Sequence, residues 1–493
     1  MRRIFTNDNG IGVRRMSDSK SGPTHLFLWL SLLSMLSAGW VTDALADAGT
    51  GEELITFEAN SGETTSAYAG TFSVPEYRGD LSSKSISLRY VRFPSTAEKP
   101  GHPIVYLSGG PGGSGISTAK WRRFPLFLAM TAHADVIALD QRGTGQSDAP
   151  PECSSSQLAP GTRPVSDEAF AELHRAAIRE CVSFWKGKGT DLRGYTTRES
   201  VQDLSALREH LGVEKISLWG ISYGSHLALA AMREIPAEID KVIIASVEGL
   251  NQTVKLPSRT DAYFKQLGAA LGETGLPELI RAVHKALNEK PVSLTLDMGE
   301  RGEVPYLLQR RDIQMMASGA IADPEWAKQM VALYKAMHAG NYEPVRSLLV
   351  RFVNPDLPIV LRAMPTAMDR ASGITESRLA QVDKEAENSL LGAYLNFPMP
   401  QVLMELEHID LGDEFRAKPK SSIPTLVLTG SLDGRTYPAS QREATSGLTN
   451  ATHVTVQGAG HNLFMASPAV EEVMGIFLSG QAVTRATIEV PIH

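Results

Sequence analysis

The stretch Lys215–Glu234, KISLWGISYGSHLALAAMRE, decides the fold. Lys215–Trp219 reads as a short buried strand, Gly220–Gly224 as a G-x-S-x-G turn, and Ser225–Glu234 as a helix stopped near Pro236. A strand, a sharp turn and a helix in that order form a nucleophile elbow, which strains the backbone at Ser222 and lifts its hydroxyl above the sheet edge. Side chains at Gly220 and Gly224 would collide with the neighbouring strand and helix, so both positions want glycine. The helix start offers unpaired N–H groups and a positive dipole end to a developing oxyanion. The plain alternative is a serine in an ordinary strand–helix loop.

Working outward, the same alternation continues. Thr196-x-x-Glu199 is a capping box that opens a helix with Val201, Leu204, Leu207 and Leu211 on one face and Gly212 at its end. Lys241–Ser246 is the strand after the elbow helix. Strands alternating with helices mean an α/β fold, a mostly parallel sheet with helices on both faces. Upstream, residues 53–92 read as opening strands, with period-two alternation in Ser85–Val91, and Pro103–Leu107 as a buried strand.

That strand runs into Ser108–Gly115, SGGPGGSG, with five glycines in eight residues. Such a stretch is a loop that lets another group approach the backbone closely. It lacks both the Gly-Lys-Ser/Thr ending of a phosphate loop and the spacing of a dinucleotide-binding turn. The remaining functional reading is an oxyanion loop, with backbone N–H groups of Gly110 and Tyr223 as the donors. Asp135–Leu139 is the next strand, and Asp140 and Arg142 in the loop after it are read as braces of the glycine loop, paired with each other or with nearby backbone, the alternative being a catalytic role.

From about Asn251 to Ser422 the β-branched runs fade, and amphipathic stretches such as Glu278–Leu287, Trp326–His338 and Ser377–Tyr394 take over, broken by prolines. Residues 251–422 are therefore expected to be a helical cap inserted between two parts of the core, 47–250 and 423–493. The sheet resumes at Pro424–Thr429.

A serine hydroxyl needs an adjacent base, itself oriented by an acid. In parallel-sheet hydrolases the chain order is Ser, then acid, then His. Asp433 follows the resumed strand, and His461 follows the next strand, His453–Val456, in a glycine turn. Both fall at the sheet edge that carries the elbow, where open α/β sheets bind ligands. Glu248, in the turn after Lys241–Ser246, is a rival acid, a partner for a substrate amine, or a solvated turn carboxylate.

Composition places the chain among ordinary globular proteins: 493 residues, 42% hydrophobic, 21% charged. A net charge of −7 leaves no basic footprint for nucleic acid. Arg14, Arg15 and Lys20, then an apolar run from Leu26 to about Val41, then Ala44-Leu45-Ala46, have the three parts of a secretory signal peptide over residues 1–46. The apolar run is shorter than the roughly 20 residues a membrane span needs, so the expectation is an exported, periplasmic or secreted protein beginning near Asp47, the rival reading being an uncleaved anchor. An exported chain with only Cys153 and Cys181 can hold one disulfide, the alternative being two buried thiols. No metal-ligand spacing or cofactor motif appears.

These residues together resemble the α/β-hydrolase fold, and within it the proline iminopeptidase and tripeptidyl aminopeptidase group of serine peptidases. The resemblance rests on Gly109–Gly115 (GGPGGSG), Asp140–Ser147 (DQRGTGQS), Tyr195-Thr196-Thr197 with Asp203-Leu204, the elbow with tyrosine after the serine, and the Asp433/His461 ending. It implies Ser222 as nucleophile, His461 as general base and then acid, Asp433 as its orienter, and Gly110 and Tyr223 as the oxyanion hole. It also implies removal of short N-terminal pieces from peptides, with carboxylates holding the free amine. The histidine that often opens the glycine motif is Ser108 here, and Glu248 is the amine-binding candidate. An esterase with the same triad is the alternative. A non-catalytic binding protein is disfavoured because Ser, Asp and His are all present in order.

Overall fold

The computed structural model describes residues 51–401 and 403–492, so the expected signal segment lies outside the described residues. In chain order the strands are β1 (Glu53–Glu58), β2 (Thr64–Pro75), β3 (Ser85–Phe93), β4 (Ile104–Leu107), β5 (Val136–Leu139), β6 (Cys153–Leu158) and β7 (Ile216–Ser222). They continue with β8 (Ile239–Val247), β9 (Val292–Asp297), β10 (Glu303–Leu308), β11 (Pro358–Leu361), β12 (Thr425–Gly430), β13 (Ala451–Gln457) and β14 (Thr487–Glu489). Ten of them make one sheet in the order β1-β2-β3-β5-β4-β7-β8-β12-β13-β14. β1, β2, β3 and β5 pair antiparallel. From β5 to β14 every pairing is parallel. β14 extends the sheet one strand beyond β13.

Parallel strands covered on both faces read as unbroken apolar runs, and β4 (IVYL) and β5 (VIAL) are buried throughout. In β7 the side-chain period of two sends neighbours to opposite faces. Leu218 joins a core with Trp185, Leu204, Leu207 and Leu227. Trp219 joins another with Phe127, Phe464 and Val470.

The described residues of 251–422 hold seven α-helices of seven residues or more, and Leu267, Ile280, Leu287, Ile313, Tyr334 and Leu349 form a core of their own there. The segment is not purely helical. Period-two stretches on either side of Met298–Gly302 pair as the β9–β10 hairpin. β11 pairs antiparallel with β6, stitching this segment to the core. The helical stretch expected over Ser377–Tyr394 ends at Ala386, where Ser389 and Asp261 take up backbone N–H groups of the following turn. Cys153 in β6 and Cys181 in the helix Asp167–Gly187 are joined by a disulfide. The expected capping box is half formed. Thr196 accepts from the Glu199 N–H, but the Glu199 carboxylate turns to Arg78. Among the described residues no helix is long and apolar enough to cross a membrane.

Candidate active site

Ser222 ends β7 and immediately precedes the helix Tyr223–Glu234. Its φ of 56° lies in the left-handed region, a strain that non-glycine residues rarely carry. A Cβ on Gly220 would lie 2.5 Å from the Gly224 carbonyl oxygen, and one on Gly224 only 2.0 Å from that of Leu107. Only glycines let the turn pack this tightly. The Ser222 side chain stays partly open to solvent.

The Tyr223 N–H stands in the first turn of its helix, where no intrahelical acceptor exists. Its phenol is buried against the Thr197 hydroxyl at 3.1 Å, and burial raises its pKa. Gly109 lies so close to the serine that a Cβ there would be 3.1 Å from Ser222 Cβ. Gly110 is exposed with a φ of 126°, available only to glycine at reasonable cost. Asp140 holds this loop, accepting from Ser114 Oγ at 2.5 Å, the Ile116 N–H at 3.0 Å and the Gln146 N–H at 2.7 Å. Arg142 does not pair with Asp140. It donates to both carboxylate oxygens of Asp203 at 2.6 Å and to the Glu76 carbonyl.

Asp433 and His461 follow the adjacent parallel strands β12 and β13. Nδ1 of His461 lies 3.1 and 3.2 Å from the two oxygens of Asp433. Asp433 also accepts from the Arg435 and Thr436 N–H groups at 2.8 Å, the Thr436 hydroxyl at 2.6 Å and Gln441 Nε2 at 3.2 Å. Burial pushes this carboxyl upward, but His461 and the Thr436 donors outweigh it and hold it at about 2.

The residues gripping this pair have no pattern in the sequence. The Ile321 carbonyl accepts from the Gly434 N–H at 3.1 Å, and the Ala322 carbonyl from the His461 N–H at 2.7 Å. Asp323 accepts from the Asn462 N–H at 3.0 Å, and Ser246 donates to the His461 carbonyl at 2.7 Å. Only the position of Ser246, at φ 48° where β8 ends, offers a faint signal.

The helix Ala363–Ser372 crosses the glycine loop. Pro365 and Arg362 come within 3.8 Å of where a Gly112 Cβ would stand. Met368 and Ser372 contact Thr197, and Ser372 also meets Nε2 of His226 at 3.2 Å. His226 Nδ1 faces the Gly249 carbonyl, which only accepts, so the proton sits on Nδ1. Burial lowers this histidine to about 4 and keeps it neutral. Asp369 lies in register with Arg362 and Pro365 on the same helix face, and among the described residues no hydrogen bond is made to its carboxylate. Burial, and then the charge of Glu248, raise it to about 7. Glu248 itself is buried and paired with the Lys255 ammonium, which outweighs the cost of burial and lowers its pKa. Among the described residues no cluster of His, Cys, Asp or Glu could hold a metal ion.

Residues 102–273 match the model of the α/β-hydrolase fold, and residues 412–486 that of a TAP-like protein. The chain is 32% identical over 188 residues to a tripeptidyl aminopeptidase of Streptomyces lividans, covering 36% of this chain and 35% of that one. It is 27% identical over 184 residues to the serine protease Hip1 of Mycobacterium tuberculosis, covering 36% and 35%. It is 31% identical over 160 residues to a probable proline iminopeptidase of Streptomyces coelicolor, covering 32% and 37%. These matches span about a third of each relative's length. With both models matched and the parallel sheet carrying its elbow, the chain belongs to the α/β-hydrolase fold, with a TAP-like C-terminal region.

Proposed function

We propose that this chain is an exported serine hydrolase that removes N-terminal residues or short peptides through an acyl-enzyme. The observation that carries the reading is a strained Ser222 on a glycine-flanked elbow, on the same sheet edge as the buried His461–Asp433 pair. In this reading Ser222 attacks the peptide carbonyl as His461 takes its proton. Asp433 stays ionised, fixes the imidazole tautomer and balances the imidazolium. The Tyr223 and Gly110 N–H groups receive the oxyanion. His461 then protonates the leaving amine, and water repeats the sequence.

An aminopeptidase needs a carboxylate for the free amine. Glu248 already meets an ammonium of its own chain, Lys255. Among the described residues Asp369 makes no ion pair, although the Lys255 and Arg435 charges act on it, and it lies on the helix face that overlies the glycine loop, so we assign it the amine. The resemblance to the tripeptidyl aminopeptidase and the probable proline iminopeptidase supports the substrate class.

The test compares aminoacyl and tripeptidyl arylamides, free and N-acetylated, with p-nitrophenyl butyrate. Cleavage of free-amine substrates, lost on acetylation and lowered roughly 10⁴-fold or more in Ser222→Ala, is expected. Near-normal turnover in Ser222→Ala overturns the mechanism. Ester cleavage alone overturns the aminopeptidase reading and leaves an esterase.

A further inference from the structure

The helix Ala363–Ser372 spans the sheet edge that carries the elbow. Its start meets the glycine loop after β4, where Arg362 and Pro365 approach Gly112. Its end reaches the loop after β8, where the Thr253 hydroxyl donates to the Gly373 carbonyl at 3.0 Å. β7, which ends in Ser222, lies between β4 and β8 in the sheet. The helix therefore sets a charge on each side of the serine's strand. Arg362 stands on the β4 side, and Asp369 feels the Glu248 and Lys255 charges of the β8 side.

Nη2 of Arg362 comes within 3.8 Å of where a Gly112 Cβ would stand. The Gly113 N–H closes that loop back onto the Gly109 carbonyl at 3.0 Å, and Gly109 is packed against Ser222. The guanidinium is thus held beside the serine. Among the described residues it makes no hydrogen bond and no ion pair. The carboxylates of the elements around it are engaged elsewhere. Asp140 holds the glycine loop, Asp148 accepts from the Ser87 N–H at 2.8 Å, and Glu180 accepts from the Ser156 N–H and from Gln157 Nε2 at 2.6 Å. Glu152, next to Cys153 of β6, is exposed and forms no ion pair with Arg362. Asp369 is seven positions along the helix, about two turns away. The Gly112 N–H likewise has no acceptor among the described residues, which gives the spot a second donor.

We propose that Arg362 determines substrate choice by receiving a carboxylate of the bound peptide, from an acidic side chain or from the free C terminus, while Asp369 takes the amine. The proposal rests on the aminopeptidase reading and names the class of peptide it favours. A guanidinium offers paired N–H donors whose spacing matches the two oxygens of a carboxylate, so the recognition is geometric as well as electrostatic. A peptide with a charge of each sign is then held on both sides of β7, which fixes its carbonyl against Ser222.

The experiment measures kcat/KM for pairs of free-amine substrates that differ in a single carboxylate. One pair is an alanine tetrapeptide with a free C terminus or a C-terminal amide. The other is a tripeptidyl arylamide containing glutamate or glutamine. The wild type should favour the carboxylate by about tenfold in at least one pair, and the pair that responds identifies the source. That ratio should fall to about one in Arg362→Gln and be partly restored in Arg362→Lys. Each ratio is taken within one protein, so a general loss of rate or folding cancels. Ratios near one for both pairs in the wild type, a result that needs no variant, overturn the proposal, as does an unchanged ratio in Arg362→Gln. The glutamine arylamide tests the parent reading separately: its cleavage, lost on N-acetylation, keeps that reading standing even where both ratios are flat. Where it resists cleavage, the aminopeptidase reading fails by itself, and the ratio for p-nitrophenyl hemisuccinate over p-nitrophenyl butyrate decides the part of Arg362.

Discussion

At the residue scale, Asp369 carries a pH dependence that can be read separately from the rate. Asp369 is raised from the ordinary aspartate range to about 7, with burial the larger cause. Above about pH 4 the unfolded chain ionises this carboxyl while the folded chain still holds the proton, so its contribution to stability falls as pH rises from about 4 to about 7. Asp369→Asn removes that loss. Its Tm should exceed the wild type's at pH 8 and match it near pH 3, as calorimetry at both pH values would show. The same carboxyl accepts an ammonium only when ionised. The ratio of kcat/KM for free-amine over acetylated substrates should therefore fall as pH drops through about 7 in the wild type. In Asp369→Asn that ratio should be roughly tenfold lower and flat with pH. A ratio, rather than a rate, cancels whatever the triad itself does with pH. Asp433 behaves in the opposite way, since a carboxyl held at about 2 remains charged through the whole range.

At the scale of elements, the elbow depends on the absence of atoms. A Cβ on Gly224 would stand 2.0 Å from the Leu107 carbonyl oxygen, in the strand beside β7. Gly224→Ala should push the helix Tyr223–Glu234 off the sheet, moving the Tyr223 N–H with it. Activity should fall by about 10²-fold or more, with a lower Tm, whereas Gly212→Ala, at an open helix end, should leave activity unchanged. This contrast also marks what the sequence could reveal. The elbow, the glycine loop and the Asp433 and His461 turns were legible because each needs particular residues at fixed spacing along one segment. The grip on His461 by the Ala322 carbonyl was not, because a backbone carbonyl leaves no trace in a side-chain pattern. The β6–β11 pair was hidden for a related reason: its two strands lie some 200 positions apart and neither alternates strongly. Arg142 shows the limit of local reading, since its partner Asp203 lies 61 positions away rather than two.

At the scale of the whole molecule, the described residues form two cores against the sheet, a third within residues 251–422, a smaller one joining Ile178 to Val254, Leu256, Val382 and Met399, and one covalent cross-link. The disulfide closes a loop with a sequence separation of 28. Loop-closure entropy assigns such a link about 3 kcal/mol, so Cys153→Ser/Cys181→Ser should lower Tm by several degrees. Calorimetry of that variant would check the figure, and an unchanged Tm would show that the surrounding core suffices.

The placement of that cross-link has a further consequence. β6 is bound covalently to the helix Asp167–Gly187, and β6 in turn holds β11, which runs directly through Arg362 into the helix above the glycine loop. The beam over the entrance is thus bolted to the frame at one end. In the proposed reaction, a substrate therefore reaches Ser222 past a helix whose leading end is anchored to the core through β11, β6 and the disulfide.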